Sequence, residues 1–210
     1  MYSKLQYISQ GETADEQISN IHQALDHGCL WIQLRFKNAS EKELIAVAQK
    51  SKALCENYGS KFIINDNIEL TKKINADGVH LGLTDESPIV ARTILGKEKI
   101  IGGTANTIQD VLKRVEEKCD YVGLGPFRFT DTKKQLSPIL GIEGYRNIIT
   151  ELKSKNIHIP VYAIGGIVLD DIDELMSEGV FGIAVSGIIT HHPDKKILIE
   201  QLKNRLHATT

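Results

Sequence analysis

The chain has few cysteines, and they are scattered. Its three cysteines are Cys29, Cys55 and Cys119. No two of them form a CxxC pair, and none has a histidine at the spacing of a zinc site. An odd number of widely separated thiols is typical of buried residues in a reducing compartment, and it argues against a disulfide framework or a sulfur-based metal site.

The sequence also lacks a long apolar run and an excess of charge of either sign. No apolar stretch approaches the roughly 20 residues of a membrane-spanning helix, and the first residues do not follow the pattern of a secretory signal. The formal net charge of −2 provides no basic field for nucleic-acid binding. We therefore expect a cytoplasmic, soluble protein that binds neither membranes nor nucleic acids, in which any anion site is local.

No linker rich in proline, glycine or serine divides the chain, and no charge block or low-complexity tract interrupts it. Apolar residues make up 41% of the 210 residues and charged residues 25%, which is ordinary for a globular protein with a sizeable core. We expect a single catalytic domain over residues 1–210.

Short β-rich runs alternate with longer helical patterns from end to end, which is typical of βα units in a parallel sheet. The predicted strands are residues 4–8, 30–34, 61–65, 78–81, 99–102, 121–124, 160–164 and 182–185. The predicted helices are residues 14–27, 40–58, 68–74, 88–95, 107–118, 141–155, 170–177 and 195–207. This alternation predicts a (β/α)₈ TIM barrel, with a doubly wound open sheet as the alternative.

In such a barrel the active site lies at the carboxyl ends of the strands and in the loops that follow. The polar and glycine residues that remain unexplained fall at these positions. In chain order they are Gln33, Arg35, Lys37, Asn65, Asp66, Asp85, Gly102, Gly103, Thr104, Thr130, Thr132, Lys133, Gly165, Gly166, Ser186 and Gly187. We expect them to face one rim.

The segment around Thr130, Thr132 and Lys133 gathers hydroxyls and an ammonium group after the sixth predicted strand. These groups suit a phosphorylated ligand, because ionised oxygens accept strong charge-assisted hydrogen bonds. A solvated basic loop is the alternative. The connection over residues 125–140 is long for a compact domain, and connections of that length are usually functional, so it is a candidate lid.

Asp66 and Asp85 allow two interpretations. Each could serve the N-terminus of the following helix, Asp66 with Glu69 in a capping box and Asp85 ahead of Ser87. Together, on adjacent barrel loops, they could share one Mg²⁺, which takes one or two protein carboxylates and completes its shell with water and substrate phosphate. The sequence leaves both interpretations open.

A short pair of residues that contains glycine ends each of the last two predicted strands. Gly165 with Gly166, and Ser186 with Gly187, stand where barrels often bind phosphate through backbone amides. The alternative is that these glycines only permit tight turns. The segment from Gly102 to Thr104 matches neither a dinucleotide-binding motif nor a P-loop.

Of the histidines, only His80 lies within a predicted strand, where a hydrogen-bonded core residue is the more common role. No Ser/His/Asp or Cys/His arrangement is legible in the sequence, so nucleophilic hydrolysis has no support.

With these residues in view, the chain resembles the thiamin phosphate synthase family over nearly its full length. The matching segments are residues 33–37, 64–66, 77–82 with Asp85, 102–104, 130–133, 164–167 and 185–186. The family is a (β/α)₈ barrel of transferases that join hydroxymethylpyrimidine diphosphate to a thiazole phosphate and release diphosphate. The resemblance implies these two small-molecule substrates, Mg²⁺ as cofactor and a possible homo-oligomer.

The resemblance also assigns roles residue by residue. The pyrimidine diphosphate would be held by Gln33, Arg35, Lys37, Asn65, Thr104 and Lys133. Asp66 and Asp85 would hold Mg²⁺, and the thiazole phosphate would be held by Thr130, Thr132, Gly166, Val185 and Ser186. Arg35, Lys37 and Lys133 would act catalytically, by neutralising charge on the departing diphosphate. In the family the pyrimidine is thought to depart as a carbocation, which requires a site closed to water.

Two residues depart from the family pattern. Leu83 stands where the family commonly has glutamine, and Asn106 stands where relatives often have histidine. A thiazole tautomerase of the same fold uses that histidine for proton transfer, and asparagine cannot exchange a proton near neutral pH. A synthase is preferred over a tautomerase and over an inert phosphate-binding paralogue, because Lys37, both aspartates and the 130–133 segment are retained.

We predict that Lys133→Ala lowers turnover about a hundredfold with unchanged thermal stability. Its ammonium group is expected to meet the leaving diphosphate, and removing one preorganised donor typically costs about 3 kcal/mol. The neighbouring Lys134→Ala serves as the control and should change turnover less than about threefold, as expected for an exposed charge. Steady-state kinetics of both variants tests this, and equal effects would mean that the loop supplies only a diffuse positive field.

Overall fold

Eight parallel strands close into a barrel in chain order. The structure is a computed structural model that describes residues 2–129 and 138–208. The strands are β1 (Leu5–Ile8), β2 (Trp31–Leu34), β3 (Lys61–Asn65), β4 (Gly78–Leu81), β5 (Ile100–Ala105), β6 (Tyr121–Leu124), β7 (Val161–Ile164) and β8 (Gly182–Val185). Strand β8 pairs with β1, with Leu5 opposite Ile183. The predicted (β/α)₈ barrel is confirmed, and the open-sheet alternative is wrong because this pairing closes the ring.

The helices surround the barrel. They are α1 (Ala14–Asp26), α2 (Glu41–Asn57), α3 (Ile68–Lys73), α4 (Pro88–Leu95), α5 (Ile108–Glu116), α6 (Gly141–Ser154), α7 (Ile172–Glu178), α8 (Gly187–Thr190) and α9 (Lys195–Ala208). A 3₁₀ turn at Leu169–Asp171 precedes α7, so the helix predicted over 170–177 begins later than expected. Helix α8 was not predicted, because four residues are too few to show a helical period. Within the described residues, no helix combines the length and apolar character needed to cross a membrane.

Side-chain caps define where several helices begin. At α2 the Ser40 hydroxyl accepts a hydrogen bond from the Glu43 amide at 3.3 Å, and the Glu43 carboxylate accepts from the Ser40 amide at 3.1 Å. Ser87 caps α4, and Pro88 occupies its first turn. Proline fits there because the first amides of a helix have no intrahelical acceptor.

Strand β5 is longer than predicted and includes the residues expected in the loop after it. It pairs with a strand on each side. Its Gly102 lies opposite His80 of β4, and its Thr104 lies opposite Gly123 of β6. Two adjacent glycines weaken the strand signal in the sequence. Pairing with two neighbouring strands outweighs that local preference, and it places Thr104 inside the barrel mouth rather than on a loop.

The amino-terminal half of the barrel interior is filled by aromatic rings. Trp31 lies edge-on to Tyr121 and to Tyr162, with ring centroids 5.0 Å apart in each pair, and all three side chains are fully buried. A Cβ atom at Gly102 would overlap the Tyr121 ring. These three rings, called the aromatic plug below, fill the bottom of the barrel. The larger apolar core lies between the strands and the helices, in residues such as Ile21 and Leu202.

We predict that Gly102→Ala lowers the free energy of unfolding by about 2 to 3 kcal/mol, because the added methyl group meets a ring that has no room to move. The matched control is Gly187→Ala, where a Cβ atom would have no neighbour closer than 3.6 Å. That control should change stability by less than about 1 kcal/mol. Urea unfolding of both variants tests this, and equal stabilities would show that the barrel interior accommodates the methyl group.

Candidate active site

A cavity of about 740 Å³ opens at the carboxyl ends of the strands. Most of the predicted rim residues that the structure describes contribute to its wall. These are Gln33, Arg35, Lys37, Asn65, Asp66, Asp85, Thr104, Gly165, Gly166, Val185 and Ser186. Thr130, Thr132 and Lys133 lie outside the described residues. The expectation that the described candidates share one rim is wrong for Gly102 and Gly103, where a Cβ atom would meet the Tyr121 ring and Arg114 instead. It agrees with the geometry for the other described candidates, whose roles stay predictions.

A buried amide with an unused acceptor lies deep in this cavity. Gln33 is 2% exposed, and its Nε2 donates to Asn65 Oδ1 at 2.9 Å. Its Oε1 accepts no hydrogen bond from the described residues. A buried acceptor without a donor is costly. This position therefore suits a ligand that brings an N–H or O–H donor.

The capping interpretation of Asp66 and Asp85 is wrong. Helix α3 is capped by Asn67, whose Oδ1 accepts from the Leu70 amide at 2.8 Å, and α4 is capped by Ser87. Asp66 lies one residue before the cap, in a left-handed conformation with φ of 66°. Asp85 Oδ2 accepts instead from the Gly82 amide at 2.6 Å.

The two carboxyl groups face each other at the rim. They lie in hydrogen-bonding contact, and Lys37 Nζ lies 3.0 Å from Asp66 Oδ2. Burial and the neighbouring Asp85 raise the pKa of Asp66 to about 6, against the opposing effect of Lys37. Burial alone would raise the pKa of Asp85 too, but hydrogen bonds from Asp66 and from the Gly82 amide bring it below its ordinary value. Such a pair favours a cation at this point.

Positive charge lines the same side of the cavity. Arg35 is partly desolvated, and burial lowers its pKa while Asp66 opposes that shift. An arginine stays protonated despite such a shift, so Arg35 and Lys37 present fixed positive charge beside the carboxylates. An anionic ligand reaching this rim would therefore contact both cations.

Among the described cavity residues, Asp66 and Asp85 are the two carboxylates that could bind a metal ion. Across residues 2–129 and 138–208, no three His, Cys, Asp or Glu side chains form a potential metal site. A pair of carboxylates nevertheless fits Mg²⁺, which keeps several waters and takes further oxygens from substrate phosphates. Asp66 and Asp85 have the right chemistry for that ion.

His80 lies on the cavity floor. Its Nδ1 lies 3.0 Å from the Tyr121 hydroxyl, its Nε2 lies 3.0 Å from Thr104 Oγ1, and its ring is nearly buried. The predicted hydrogen-bonded core histidine is confirmed. The sequence did not predict that His80 lines the cavity. Side chains alternate between the two faces of a strand, so Gly78 and His80 of β4 lie on the same face, and this pattern could have indicated the contact.

The loops after β6 and β7 support each other at the opposite wall. Gly165 and Gly166 have φ values of 93° and 69°, which favour glycine, and a Cβ atom at Gly166 would overlap Arg128. Arg128 forms a bidentate ion pair with Asp171 at 2.6 and 2.8 Å and donates to the Gly166 carbonyl at 2.9 Å. The glycines thus allow the two loops to pack closely, and their backbone forms part of the cavity wall.

The two departures from the family pattern also lie at the cavity. Asn106 is nearly buried, and its side-chain amide donates to the Gly125 carbonyl. Leu83 is 39% exposed and contributes an apolar contact at the mouth.

A buried arginine behind the cavity was missed by the sequence analysis. Arg114 on α5 donates from Nε to the Thr104 carbonyl at 3.0 Å and from Nη2 to the Gly82 carbonyl at 2.9 Å. Its Nη1 pairs with Glu117 Oε2 at 2.7 Å. Gly103 gives the side chain passage, since a Cβ atom there would lie 2.6 Å from Arg114 Cδ. Arg114 therefore ties together the ends of β4 and β5.

The fold and this geometry accompany a clear family match. The model of the family described as thiamine monophosphate synthase matches residues 5–189. The chain belongs to this family. It is 61% identical to the thiamine-phosphate synthase of Flavobacterium johnsoniae, over 99% of this chain and 98% of that protein. It is 56% identical to the thiamine-phosphate synthase of Flavobacterium psychrophilum, over 98% of this chain and all of that protein.

Solved structures agree. The thiamine phosphate pyrophosphorylase from Pyrococcus furiosus superposes with a TM-score of 0.85 at 30% identity, over 98% of this chain and 96% of that chain. The 3-hexulose-6-phosphate synthase from Salmonella typhimurium superposes with a TM-score of 0.70 at 17% identity, over 99% and 100% of the two chains, which shows the shared fold alone. The resemblance read from the sequence is confirmed, and with it the expectation of an enzyme of thiamin biosynthesis.

We predict that Arg114→Met lowers the free energy of unfolding by about 3 kcal/mol or more, because it leaves Glu117 and two strand-end carbonyls without their buried partner. Arg146→Met is the control. Arg146 also pairs with a glutamate three residues away, and with Glu178, but its side chain is 45% exposed, so its loss should cost less than about 1 kcal/mol. Chemical denaturation measures both, and a small effect at Arg114 would contradict its role in joining β4 and β5.

Proposed function

We propose that this protein condenses hydroxymethylpyrimidine diphosphate with hydroxyethylthiazole phosphate, yielding thiamin phosphate and diphosphate. One observation carries the proposal: a single cavity holds the unused Gln33 acceptor at its base and the Asp66 and Asp85 carboxylates with two cations at its rim. The base suits a polar ring with N–H groups. The rim suits a diphosphate with its metal ion.

The pyrimidine end of the first substrate would lie against Gln33 and Asn65. An aminopyrimidine brings N–H donors, and Gln33 Oε1 has a free lone pair that is already desolvated. Because Asn65 Oδ1 accepts from Gln33 Nε2, the orientation of the Gln33 amide is fixed with its oxygen available. The unused acceptor thus gives the ring a preferred orientation.

The diphosphate end would lie toward Arg35, Lys37 and Thr104, with Lys133 as the predicted further donor. Asp66 and Asp85 would hold Mg²⁺, which when bound would screen the negative charge of the diphosphate. Lys37, which lies 3.0 Å from Asp66, would be shared between that carboxylate and the phosphate oxygens. These cations stabilise the leaving group most strongly as its bond to carbon breaks.

The reaction needs no protein base. The C–O bond to diphosphate breaks with its electron pair remaining on oxygen, and the lone pair of the thiazole nitrogen forms the new C–N bond. No proton is transferred in this exchange, which agrees with Asn106 donating to a backbone carbonyl at the position where a tautomerase has histidine. Water must be kept from the electron-poor carbon, so a narrow, enclosed cavity is an advantage.

The phosphate of the thiazole would lie at the opposite wall, near Gly166, Val185 and Ser186. Their backbone amides are candidates to hold phosphate oxygens, together with the predicted contacts of Thr130 and Thr132. The Arg128 and Asp171 ion pair fixes the Gly166 loop before any ligand arrives. A preorganised wall costs less entropy on binding than a loop that must first be ordered.

We predict that the protein releases diphosphate only when both substrates and Mg²⁺ are present, and that Asp66→Ala and Asp85→Ala each abolish this release. The control is Asp26→Ala, because Asp26 lies on α1 outside the cavity and pairs only at the surface. A coupled diphosphate assay measures turnover.

Metal binding is tested separately by electron paramagnetic resonance titration with Mn²⁺, with and without pyrimidine diphosphate. The two cavity variants should bind Mn²⁺ at least about tenfold more weakly, while Asp26→Ala binds like the unaltered protein. Wild-type turnover that is independent of a divalent cation would sink the metal assignment, and no turnover under any condition would sink the proposed reaction.

A further inference from the structure

A chain of hydrogen bonds runs from the cavity floor into the closed end of the barrel. Thr104 Oγ1 lies 3.0 Å from His80 Nε2, and His80 Nδ1 lies 3.0 Å from the Tyr121 hydroxyl. Gln6 Nε2 donates to the same hydroxyl at 3.3 Å. These hydrogen bonds therefore link Thr104, a cavity residue, to Tyr121 of the aromatic plug.

The surroundings of this chain leave its members little freedom. Tyr121 is fully buried between Trp31 and Tyr162, and the Gly102 position next to its ring has no room for a side chain. A Cβ atom at Gly123 would lie 3.1 Å from His80 Cε1, so the His80 ring is packed against the backbone of β6. A side chain held on both faces keeps its hydrogen-bond geometry when a ligand binds.

The direction of each hydrogen bond follows from counting donors. The Gln6 amide donates to the Tyr121 oxygen, so the phenol proton needs an acceptor of its own. His80 Nδ1 is in position to accept it, and burial raises the pKa of Tyr121, which keeps the phenol protonated. His80 then carries its proton on Nε2 and donates to Thr104 Oγ1. In the structure the Gln6 amide turns Nε2, not its unused Oε1, toward the Tyr121 hydroxyl. In that orientation the opposite tautomer would leave a buried phenol proton without an acceptor, which is unfavourable.

The Thr104 oxygen accepts a hydrogen bond from His80. The proton of the Thr104 hydroxyl must therefore be donated to a group other than His80. Thr104 lines the cavity, and Arg114 holds its backbone carbonyl from behind. A hydroxyl that donates toward the cavity favours an anionic oxygen there over a neutral donor.

We propose that Tyr121 and His80 are positioning residues that fix the Thr104 hydroxyl as a hydrogen-bond donor to an anionic oxygen of the substrate. That this oxygen belongs to the pyrimidine diphosphate rests on the proposed function, whereas the orientation of the three side chains does not. Tyr121 thereby affects ligand binding from inside the barrel without touching the ligand.

The first experiment reads the tautomer directly in the unaltered protein. Nitrogen-15 NMR of histidine-labelled protein distinguishes Nε2–H from Nδ1–H, and a His80→Gln variant assigns the signal. Neutral His80 protonated on Nε2 is expected. A neutral ring protonated on Nδ1, or a doubly protonated ring at neutral pH, overturns the proposal whatever reaction the protein catalyses.

The second experiment is a double-mutant cycle in the diphosphate assay. Tyr121→Phe should lower kcat/KM for pyrimidine diphosphate about tenfold, with KM for the thiazole phosphate unchanged, because one oriented hydrogen bond is lost. In a Thr104→Val background, Tyr121→Phe should change kcat/KM less than about twofold, since both substitutions remove the same interaction.

The matched control is Tyr162→Phe, which removes another hydroxyl of the aromatic plug. That hydroxyl donates to the Ser3 carbonyl at 2.7 Å, away from the cavity, so kcat/KM should change less than about twofold. If Tyr121→Phe impairs the enzyme equally with and without the Thr104 hydroxyl, Tyr121 does not act through Thr104. If unaltered protein shows no turnover, the proposed function fails while the NMR result still decides the orientation.

Discussion

The hydrogen-bonded closure between β1 and β8 is the constraint on which the site depends. Parallel strands that close in chain order bring all eight carboxyl ends to one rim, so residues far apart in the chain meet in a single cavity. Gln33 in the first fifth of the chain and Ser186 near its end line the same cavity for this reason alone. An open sheet of the same strands would have placed them at opposite edges.

That cavity contains groups that do not favour folding by themselves. Two carboxyl groups in contact, an arginine that is partly desolvated and an unused amide acceptor all cost free energy until a ligand compensates them. The surrounding structure offsets this cost. Arg114 joins the ends of β4 and β5 from behind, and Arg128 with Asp171 joins the loops after β6 and β7. Because these contacts fix the strand ends and loops, the carboxyl groups, the arginine and the amide acceptor cannot move together and fill the cavity.

Much of this arrangement could be predicted from the sequence, because it depends on regular signals. The alternation of strand and helix patterns gave the barrel, and the barrel rule then selected the rim residues that the structure places around the cavity. The cap at Ser40 also depends on a local signal, because Ser40 and Glu43, the two members of its capping box, lie three residues apart.

Other features could not be predicted, since they depend on contacts between distant segments. The length of β5 is set by pairing with both neighbours across two glycines, and the burial of Arg114 is set by carbonyls on two other elements. Local helix signals also left the role of Asp66 open, and the structure shows that Asn67, one residue later, caps the helix instead. The 130–133 segment stays a prediction of function from composition and resemblance.

The aromatic plug also decides how molecules can travel. Since Trp31, Tyr121 and Tyr162 fill the bottom of the barrel, the cavity opens at the carboxyl rim, and the described residues leave no second opening along the barrel axis. Under the proposed reaction, two substrates and two products would share this one opening. Whatever group contacts Gln33 must enter before the partner that covers it and leave after that partner has gone. An ordered binding sequence would then follow from the packing of these three rings.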